Sequence, residues 1–219
     1  MTVTSAAEGR AARVGILGGT FNPPHRGHVT LARHALEELG LDRVLLMPTG
    51  SPLHKPAAAD PGAEHRLNMC RLAVEAEPRV CACALEIERG GPSYTVDTLT
   101  SIDASHPETR LTLIVGADTA MTLPAWRSPA RLLELADLAV ATRRGSVDGE
   151  IRDTVDVLAG EDGLRERDLR FLSMAPIEVS SSEVRRRVAA GNPVEELVGA
   201  GVAGYIAEHD LYTVPEEES

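Results

Sequence analysis

The sequence predicts an α/β protein built on a doubly wound, mainly parallel sheet. Short apolar runs alternate along the chain with segments whose apolar residues recur at helical spacing. The links between these segments are short, and strands that alternate with helices in this way form parallel sheets covered on both faces. The length of 219 residues suits one such domain. We place this domain at 13–213, between a loose tail at 1–12 and an acidic tail at 214–219.

In the first half of the chain, a buried strand at 14–17 runs into Gly18-Gly19. After the Pro23-Pro24 break, apolar residues recur at helical spacing until Gly40 supplies a stop. The elements predicted in this half are strands at 14–17, 44–47 and 80–87 and helices at 29–39 and 65–76.

In the second half, Gly90 to Ser93 precedes a further helix, and β-branched residues favour a strand at 111–115. The helices predicted in this half are one at 95–102, one that ends at 132–135, and a helical segment at 181–211 broken at 191–193. The predicted strands are at 111–115, 138–141 and 169–172. Ligands of such sheets bind beyond the carboxyl ends of the strands, near the point where the strand order reverses.

Charge and hydropathy exclude several classes of partner. The net charge of −11 is unfavourable for non-specific binding to nucleic acid or to an anionic membrane. No apolar run approaches the ~20 residues needed to span a bilayer, and 1–13 lacks the apolar core of a secretory signal. We therefore expect a cytoplasmic protein that binds neither nucleic acid nor membranes. A homo-oligomer remains an open alternative.

The cysteines and the lysine are informative through their small number. Cys70, Cys81 and Cys83 lack zinc-ligand spacing. At alternate positions of the predicted strand 80–87, Cys81 and Cys83 are interpreted as small buried residues. Of the 22 basic residues all but one are arginine, and the exception is Lys55.

The turn after the first predicted strand, GGTFNPPHRGH at 18–28, is the most informative segment. Two glycines allow backbone amides to approach a phosphate, and the following helix presents unpaired amides and its positive dipole end to an anion. His25 and His28, three residues apart, can face one phosphate. The alternatives are a capped turn with two surface histidines or a weak metal pair. The dinucleotide-binding pattern GxGxxG and the P-loop pattern GxxxxGK[ST] are both absent.

This turn resembles the signature GGTFxPxHxGH of the nucleotidyltransferase superfamily, and four further segments resemble its nicotinate-mononucleotide adenylyltransferase branch. They are MPTGSPLHK at 47–55, GPSYTVDTL at 91–99, GAD at 116–118 with LPAW at 123–126, and VSSSEVR at 179–185. The chain departs from the usual pattern at Asn22, where aspartate is usual, at Leu53, where proline is usual, and at Ser182, where threonine is usual. The resemblance spans about 14–212 and implies a Rossmann-like nucleotidyltransferase fold.

The resemblance also implies roles for individual residues. The expected catalytic residues are His25, His28, Lys55 and Arg185. Those expected to bind ATP are Gly18, Gly19, Thr20, Phe21, His25, His28, Gly116, Asp118, Arg143, Ser180, Ser181, Ser182 and Arg185. Those expected to bind nicotinate mononucleotide are Asn22, His54, Lys55, Ser93, Tyr94, Thr95 and Trp126. The histidines would hold the phosphates of the nucleoside triphosphate, and Asp118 a ribose hydroxyl.

Several of these residues also have a purely structural interpretation. Ser180 and Glu183 have the spacing of a helix capping box, in which Glu183 reaches back to the cap. Asp118 is placed to cap the next helix, and Lys55 to lie on a surface connection. Trp126 fits a half-buried packing residue as well as a ring that stacks on substrate. Arg185 would by itself suit a solvated arginine face.

The implied reaction is attack by the 5′-phosphate of nicotinate mononucleotide on the α-phosphorus of ATP. The nucleophile is already an anion, so no activated serine or cysteine is needed. Mg²⁺ is expected to accompany ATP through phosphate oxygens and water, without a carboxylate cage. The rivals are pantetheine-phosphate adenylyltransferase, a cytidylyltransferase, and a non-catalytic nucleotide-binding domain. The first two share the histidine motif but leave 91–99 and 123–126 unexplained.

Overall fold

The structure is a computed structural model that describes residues 11–51, 59–143, 148–160, 169–175 and 178–213. At Arg143 it describes the backbone alone. The tails expected at 1–12 and 214–219 lie largely outside these ranges, although Ala12 is buried in the core. Among the described residues, every helix falls short of the length and apolarity needed to cross a bilayer.

Six parallel strands form one sheet in the order β3-β2-β1-β4-β5-β6. The strands are β1 (Arg13–Gly19), β2 (Arg43–Pro48), β3 (Val80–Ala82), β4 (Arg110–Gly116), β5 (Ala136–Arg143) and β6 (Leu169–Met174). This is the strand order of the doubly wound dinucleotide-binding folds, in which the order reverses between the first and fourth strands. The predicted fold class is therefore confirmed.

The helices cover both faces of the sheet. They are α1 (Arg26–Glu38), α2 (Ala63–Ala73), α3 (Leu85–Arg89), α4 (Thr95–Ser105), α5 (Ala117–Ala120), α6 (Pro129–Leu135), α7 (Asp148–Ala159), α8 (Ser181–Ala189), α9 (Glu195–Val198) and α10 (Ala200–Glu208), with a 3₁₀ turn at Leu123–Ala125.

Side-chain alternation along the strands produces two apolar cores. Ile16 faces α4, α6 and α7, whereas its neighbour Leu17 faces α1 and α2. In the same way Leu45 and Leu46 of β2 point to opposite faces. A third cluster joins α2 to α8 and α10, so the C-terminal helices pack beside the first half of the sheet.

The strand predicted at 80–87 is wrong beyond Ala82. The chain turns there, and Leu85–Arg89 forms the short helix α3. Cys83 thus lies outside the strand, and Cys81 and Cys83 are half-buried rather than buried. Leu85 and Ile87, two positions apart, have the spacing of one strand face, but in α3 they pack into different cores.

The C-terminal helical segment is divided more finely than predicted. The break at 191–193 is present, but Gly199 adds a second one between α9 and α10. Its φ of +88° lies in the left-handed region, which cannot continue a right-handed helix. Helix α7 was not predicted from the sequence. It buries Ile151 and Val155, and Leu158 packs half-buried against the same core.

Candidate active site

The candidate site lies at the carboxyl ends of β1 and β4, where the strand order reverses. A side-chain carbon added at Gly18 or Gly116 would meet no atom within 4 Å from the part of the chain that the structure describes, apart from its immediate chain neighbours. These strand ends therefore border open space that a ligand can enter. Asp118 is exposed just beyond Gly116, in the first turn of α5.

The two motif histidines lie together where the turn after β1 becomes α1. His25 is the N-cap residue of α1 and His28 lies in its first turn. Their rings stack with centroids 3.7 Å apart and planes 21° apart. The Phe21 ring meets His28 edge-on at 4.8 Å, and Phe21 takes a φ of +50°, a conformation that is uncommon for a bulky residue. Since bulky side chains avoid this conformation, the surrounding structure must hold the turn in place.

Burial keeps both histidines neutral in the free protein. It lowers the pKa of His25 to about 4 and the pKa of His28 to about 3, and the neighbouring His25 lowers the latter further. The backbone N–H of His25 donates to Nδ1 of His28 at 3.1 Å. Because Nδ1 of His28 is an acceptor, its proton lies on Nε2. His28 therefore presents an N–H donor.

Gly27 allows His25 and Val179, which lies just before α8, to approach the start of α1 closely. A side-chain carbon there would lie 3.0 Å from Nδ1 of His25 and 3.2 Å from Cγ1 of Val179. Both distances are shorter than ordinary contacts, so the motif glycine is needed for packing at the start of α1.

Helix α8 docks its first turn onto the same segment. Arg185 donates from Nη1 to the carbonyl oxygen of Asn22 at 2.6 Å and from Nη2 to Oγ of Ser182 at 3.1 Å. The Ser181 hydroxyl donates to the carbonyl oxygen of Pro23 at 2.8 Å. The guanidinium of Arg185 thus lies against the signature turn, with further N–H groups available for a ligand.

The predicted capping box is only half present. The Ser180 hydroxyl oxygen accepts from the backbone N–H of Glu183 at 3.1 Å, as predicted. The Glu183 carboxylate, however, pairs with Arg187 and Arg186, whose hydrogen bonds lower its pKa. The expectation that Glu183 reaches back to the cap is wrong, because two guanidinium groups three and four residues ahead compete for its oxygens.

A C-terminal tyrosine that sequence reasoning did not identify also holds this turn. The Tyr212 hydroxyl donates to Oδ1 of Asn22 at 2.7 Å. The two residues are 8% and 3% exposed, and burial raises the pKa of Tyr212. Nδ2 of Asn22 has no hydrogen-bond partner in the described part of the chain. No local pattern links residues 190 positions apart, so only the fold identifies this contact.

Three of the residues expected to bind the mononucleotide, Ser93, Tyr94 and Thr95, lie at the start of α4. Ser93 accepts the backbone N–H of Gly50 on Oγ at 2.9 Å. Tyr94 is the N-cap residue of α4, and no side chain in the described ranges caps this helix end. The Arg127 guanidinium lies 4.7 Å from the centroid of the Tyr94 ring. Trp126 is half-buried against the core and donates from Nε1 to Oγ1 of Thr122 at 3.0 Å.

A second residue missed from the sequence is Arg66 on α2, which is 1% exposed. Its guanidinium donates to the carbonyl oxygens of Thr20 and Gly50 and to the carboxylate of Asp60. An arginine within a helix predicts an exposed side chain, so the pattern carried no signal for a buried one.

The structure brings together most of the predicted site residues at two neighbouring places. Those at the signature turn are Gly18, Gly19, Thr20, Phe21, Asn22, His25, His28, Ser181, Ser182 and Arg185. Those around the start of α4 are Ser93, Tyr94 and Thr95. Trp126 ends the 3₁₀ turn Leu123–Ala125, and its neighbour Arg127 contacts the Tyr94 ring. His54 and Lys55 lie outside the described residues, as does the Arg143 side chain. The described residues contain no group of three or more histidine, cysteine or acidic side chains placed to hold a metal.

Comparison with known proteins agrees with this geometry. The cytidylyltransferase-like family matches residues 16–187. A protein of Dehalococcoides mccartyi named "Probable nicotinate-nucleotide adenylyltransferase" is 42% identical over 201 residues, which cover 91% of this chain and 97% of the relative. A protein of the same name from Clavibacter sepedonicus is 38% identical over 213 residues, covering 97% of this chain and 100% of the relative.

The fold is also found among solved structures. Plasmodium falciparum nicotinic acid mononucleotide adenylyltransferase complexed with NaAD matches with a TM-score of 0.74 at 16% identity, covering 92% of this chain and 97% of that chain. At this identity the likeness establishes the fold, whereas the sequence relatives establish the family. The chain belongs to the cytidylyltransferase-like family and, within it, to the nicotinate-nucleotide adenylyltransferases.

Proposed function

We propose that the chain transfers the adenylyl group of ATP to nicotinate mononucleotide, forming nicotinate adenine dinucleotide and pyrophosphate, a step of NAD biosynthesis. The observation that carries the proposal is the pair of stacked, neutral histidines at the start of α1, which border the open switch point of the sheet. Membership in the nicotinate-nucleotide adenylyltransferase family supports the same reaction.

The chemistry requires positioning and charge stabilisation. An oxygen of the mononucleotide 5′-phosphate attacks the α-phosphorus of ATP, and the bond from the α-phosphorus to the bridging oxygen breaks. Pyrophosphate leaves with that electron pair. Because the nucleophile is an anion from the start, the protein needs no general base, and rate is gained by in-line alignment and by donors aimed at the phosphoryl oxygens.

The geometry supports a division of roles among the predicted residues. His28 donates from Nε2 to a phosphate oxygen, since Nδ1 is held by the backbone of His25. His25, stacked on it, contacts the same triphosphate, and Arg185 neutralises charge from the side of α8. Lys55 is proposed as a further cation on the sequence argument alone. The backbone amides of 18–20 and the exposed carboxylate of Asp118 would hold the phosphates and the ribose.

The uncapped start of α4 supports a preference for the acid mononucleotide. Backbone N–H groups and the positive helix end favour the nicotinate carboxylate. The amide form would place its NH₂ group against N–H donors, and each unpaired buried group costs ~1–3 kcal/mol. Two such mismatches give ~10²-fold discrimination, because 1.4 kcal/mol is about tenfold. We propose that Trp126 stacks on the pyridine ring.

We also propose that Mg²⁺ enters with ATP, bound by phosphate oxygens and water. It would add positive charge beside the leaving pyrophosphate. A biosynthetic step that consumes ATP supports a cytoplasmic location.

The test is pyrophosphate release from ATP and Mg²⁺ with a panel of acceptors. The panel contains nicotinate mononucleotide, nicotinamide mononucleotide, 4′-phosphopantetheine and a buffer blank. We expect the highest kcat/KM with the nicotinate form and no release with phosphopantetheine. Preference for phosphopantetheine would establish the rival adenylyltransferase, and ATP binding without release from any acceptor would establish a non-catalytic domain.

A further inference from the structure

Arg66 is a buried cation that the reaction itself does not use. The residue is 1% exposed, and its guanidinium makes three contacts in three different segments. Nη1 donates to the carbonyl oxygen of Thr20 at 2.9 Å, and Nη2 donates to that of Gly50 at 3.2 Å. Nε donates to Oδ1 of Asp60 at 3.1 Å, so the buried charge has a counter-ion.

The two carbonyl groups belong to the turns that follow neighbouring strands. Thr20 follows β1 inside the signature turn, and Gly50 follows β2. The planar guanidinium presents its N–H groups in a fixed fork, which fixes the distance between the two acceptors. A lysine ammonium is a point donor on a flexible stem and cannot hold both carbonyls in that geometry.

The turn that contains Gly50 also contacts the segment just before α4. Its backbone N–H donates to Oγ of Ser93 at 2.9 Å, and Ser51 forms a parallel bridge with Pro92. A side-chain carbon at Gly50 would lie 2.6 Å from the carbonyl oxygen of Glu86, so the approach is as close as glycine permits. A continuous chain of contacts thus runs from Thr20 through Arg66 and Gly50 to Ser93.

We propose that Arg66 is a positioning residue that sets the separation between the ATP-binding turn and the mononucleotide pocket. The inference rests on the proposed function, since it assigns one substrate to each end of this chain of contacts. Arg66 is buried behind the turns and acts through their backbones.

This role makes a specific kinetic prediction. We call the contacts from Thr20 through Arg66 and Gly50 to Ser93 the brace. Each substrate binds to one end of the brace, so binding of either substrate alone does not depend on the distance between its two ends. In-line attack depends on it, because a misplacement of about 1 Å costs up to ~10²-fold in rate. Loss of the forked contact therefore lowers kcat and leaves both KM values nearly unchanged.

The experiment compares Arg66→Lys with two control variants. Arg79→Lys alters an arginine whose Nη1 donates to the carbonyl oxygen of Leu41 at 3.3 Å. This contact lies at the amino ends of β2 and β3, whereas Thr20 and Gly50 follow the carboxyl ends of β1 and β2. Val155→Ala removes buried atoms from α7, far from the brace, and controls for lost stability. Binding-competent protein is counted from the stoichiometry of a non-hydrolysable ATP analogue, and kcat is expressed per competent site.

We expect Arg66→Lys to lower kcat per competent site by about 10- to 100-fold, with both KM values within about threefold of wild type. Both controls keep kcat within about twofold. A wild-type kcat for Arg66→Lys overturns the proposal, and so does a loss of kcat/KM that comes entirely from a raised KM for one substrate. So does a lysine variant that cannot bind the analogue, because that marks a residue needed for folding alone.

A double-mutant cycle tests the route through Gly50. Ser93→Ala removes the acceptor at the far end of the chain of contacts. We expect the losses in kcat from Arg66→Lys and Ser93→Ala to be less than multiplicative when combined, whereas Arg79→Lys and Ser93→Ala combine multiplicatively. Multiplicative losses for Arg66 and Ser93 refute the coupling. An inactive wild-type protein would instead refute the proposed function.

Discussion

Two substitutions at His28 separate its structural contact from its chemical one. Nδ1 of His28 accepts a hydrogen bond from the backbone N–H of His25 at 3.1 Å, which leaves Nε2 as the donor toward a ligand. Asparagine places its oxygen near the position of Nδ1 and has no group at Nε2. Glutamine reaches the position of Nε2 with an NH₂ donor and leaves the His25 amide without its acceptor. The two variants should therefore fail in opposite ways.

The magnitudes follow from the two contacts. Loss of one donor aimed at the transition state costs ~10²–10³-fold in kcat, about 2.7–4 kcal/mol. Loss of the neutral contact to His25 costs ~0.5–1.5 kcal/mol of stability. In a domain of this size 1 kcal/mol shifts Tm by ~2–4 °C. We expect His28→Asn to keep its Tm and lose most of its turnover, and His28→Gln to melt a few degrees lower and keep more turnover than the asparagine variant.

The assay is steady-state pyrophosphate release with thermal melting of the same preparations, and His28→Ala serves as the reference that loses both contacts. Near-normal kcat in His28→Asn would refute the assignment of Nε2 as the donor. Equal Tm in the asparagine and glutamine variants would refute the assignment of Nδ1 as the acceptor.

The remaining predictions concern pH, the C-terminus and the pyridine ring. The unfolded chain binds protons on His25 and His28 below the ordinary pKa of 6.5, whereas the folded protein does so only near about 4 and about 3. The free energy of unfolding of the ligand-free protein should therefore fall as pH drops from about 6.5 to 4, by up to ~1.4 kcal/mol per pH unit for each histidine; urea unfolding of wild type and His28→Asn measures this, and equal slopes would contradict it. Tyr212→Phe leaves Oδ1 of Asn22 buried without its donor and should cost ~1–3 kcal/mol of stability in the same experiment, with no loss counting against the contact. Trp126→Ala should raise KM for nicotinate mononucleotide and leave KM for ATP nearly unchanged, and an equal rise in both would remove Trp126 from the mononucleotide pocket.

Periodic patterns were enough to predict the sheet and most of the helices flanking it. Buried strands such as 44–47 are continuous apolar runs because both faces of the sheet are covered, and the glycines after the first strand mark where the chain turns. The apolar periodicity was a weaker signal in elements that bury few residues. Helix α7 buries only Ile151 and Val155, and α3 is a five-residue helix whose alternating apolar residues imitate a strand.

The site was partly predictable for a related reason. Residues such as His25 and His28 are close in sequence, so one segment reveals their arrangement. The contacts that hold the turn are distant in sequence. Tyr212 meets Asn22, and Arg66 meets Thr20 and Gly50, only because the sheet and α2 bring those segments together. Local patterns carry no information about such pairings.

Adenylyl transfer itself is tested most directly by following the α-phosphate of ATP. The protein is incubated with Mg²⁺, ATP labelled at the α-phosphorus, and either nicotinate or nicotinamide mononucleotide, each at equal concentration. The account predicts that the label enters nicotinate adenine dinucleotide in one-to-one stoichiometry with unlabelled pyrophosphate, that chelation of Mg²⁺ stops the transfer, and that the amide acceptor is used ~10²-fold less well. Label that stays in ATP, or that enters a product containing neither mononucleotide, would contradict it.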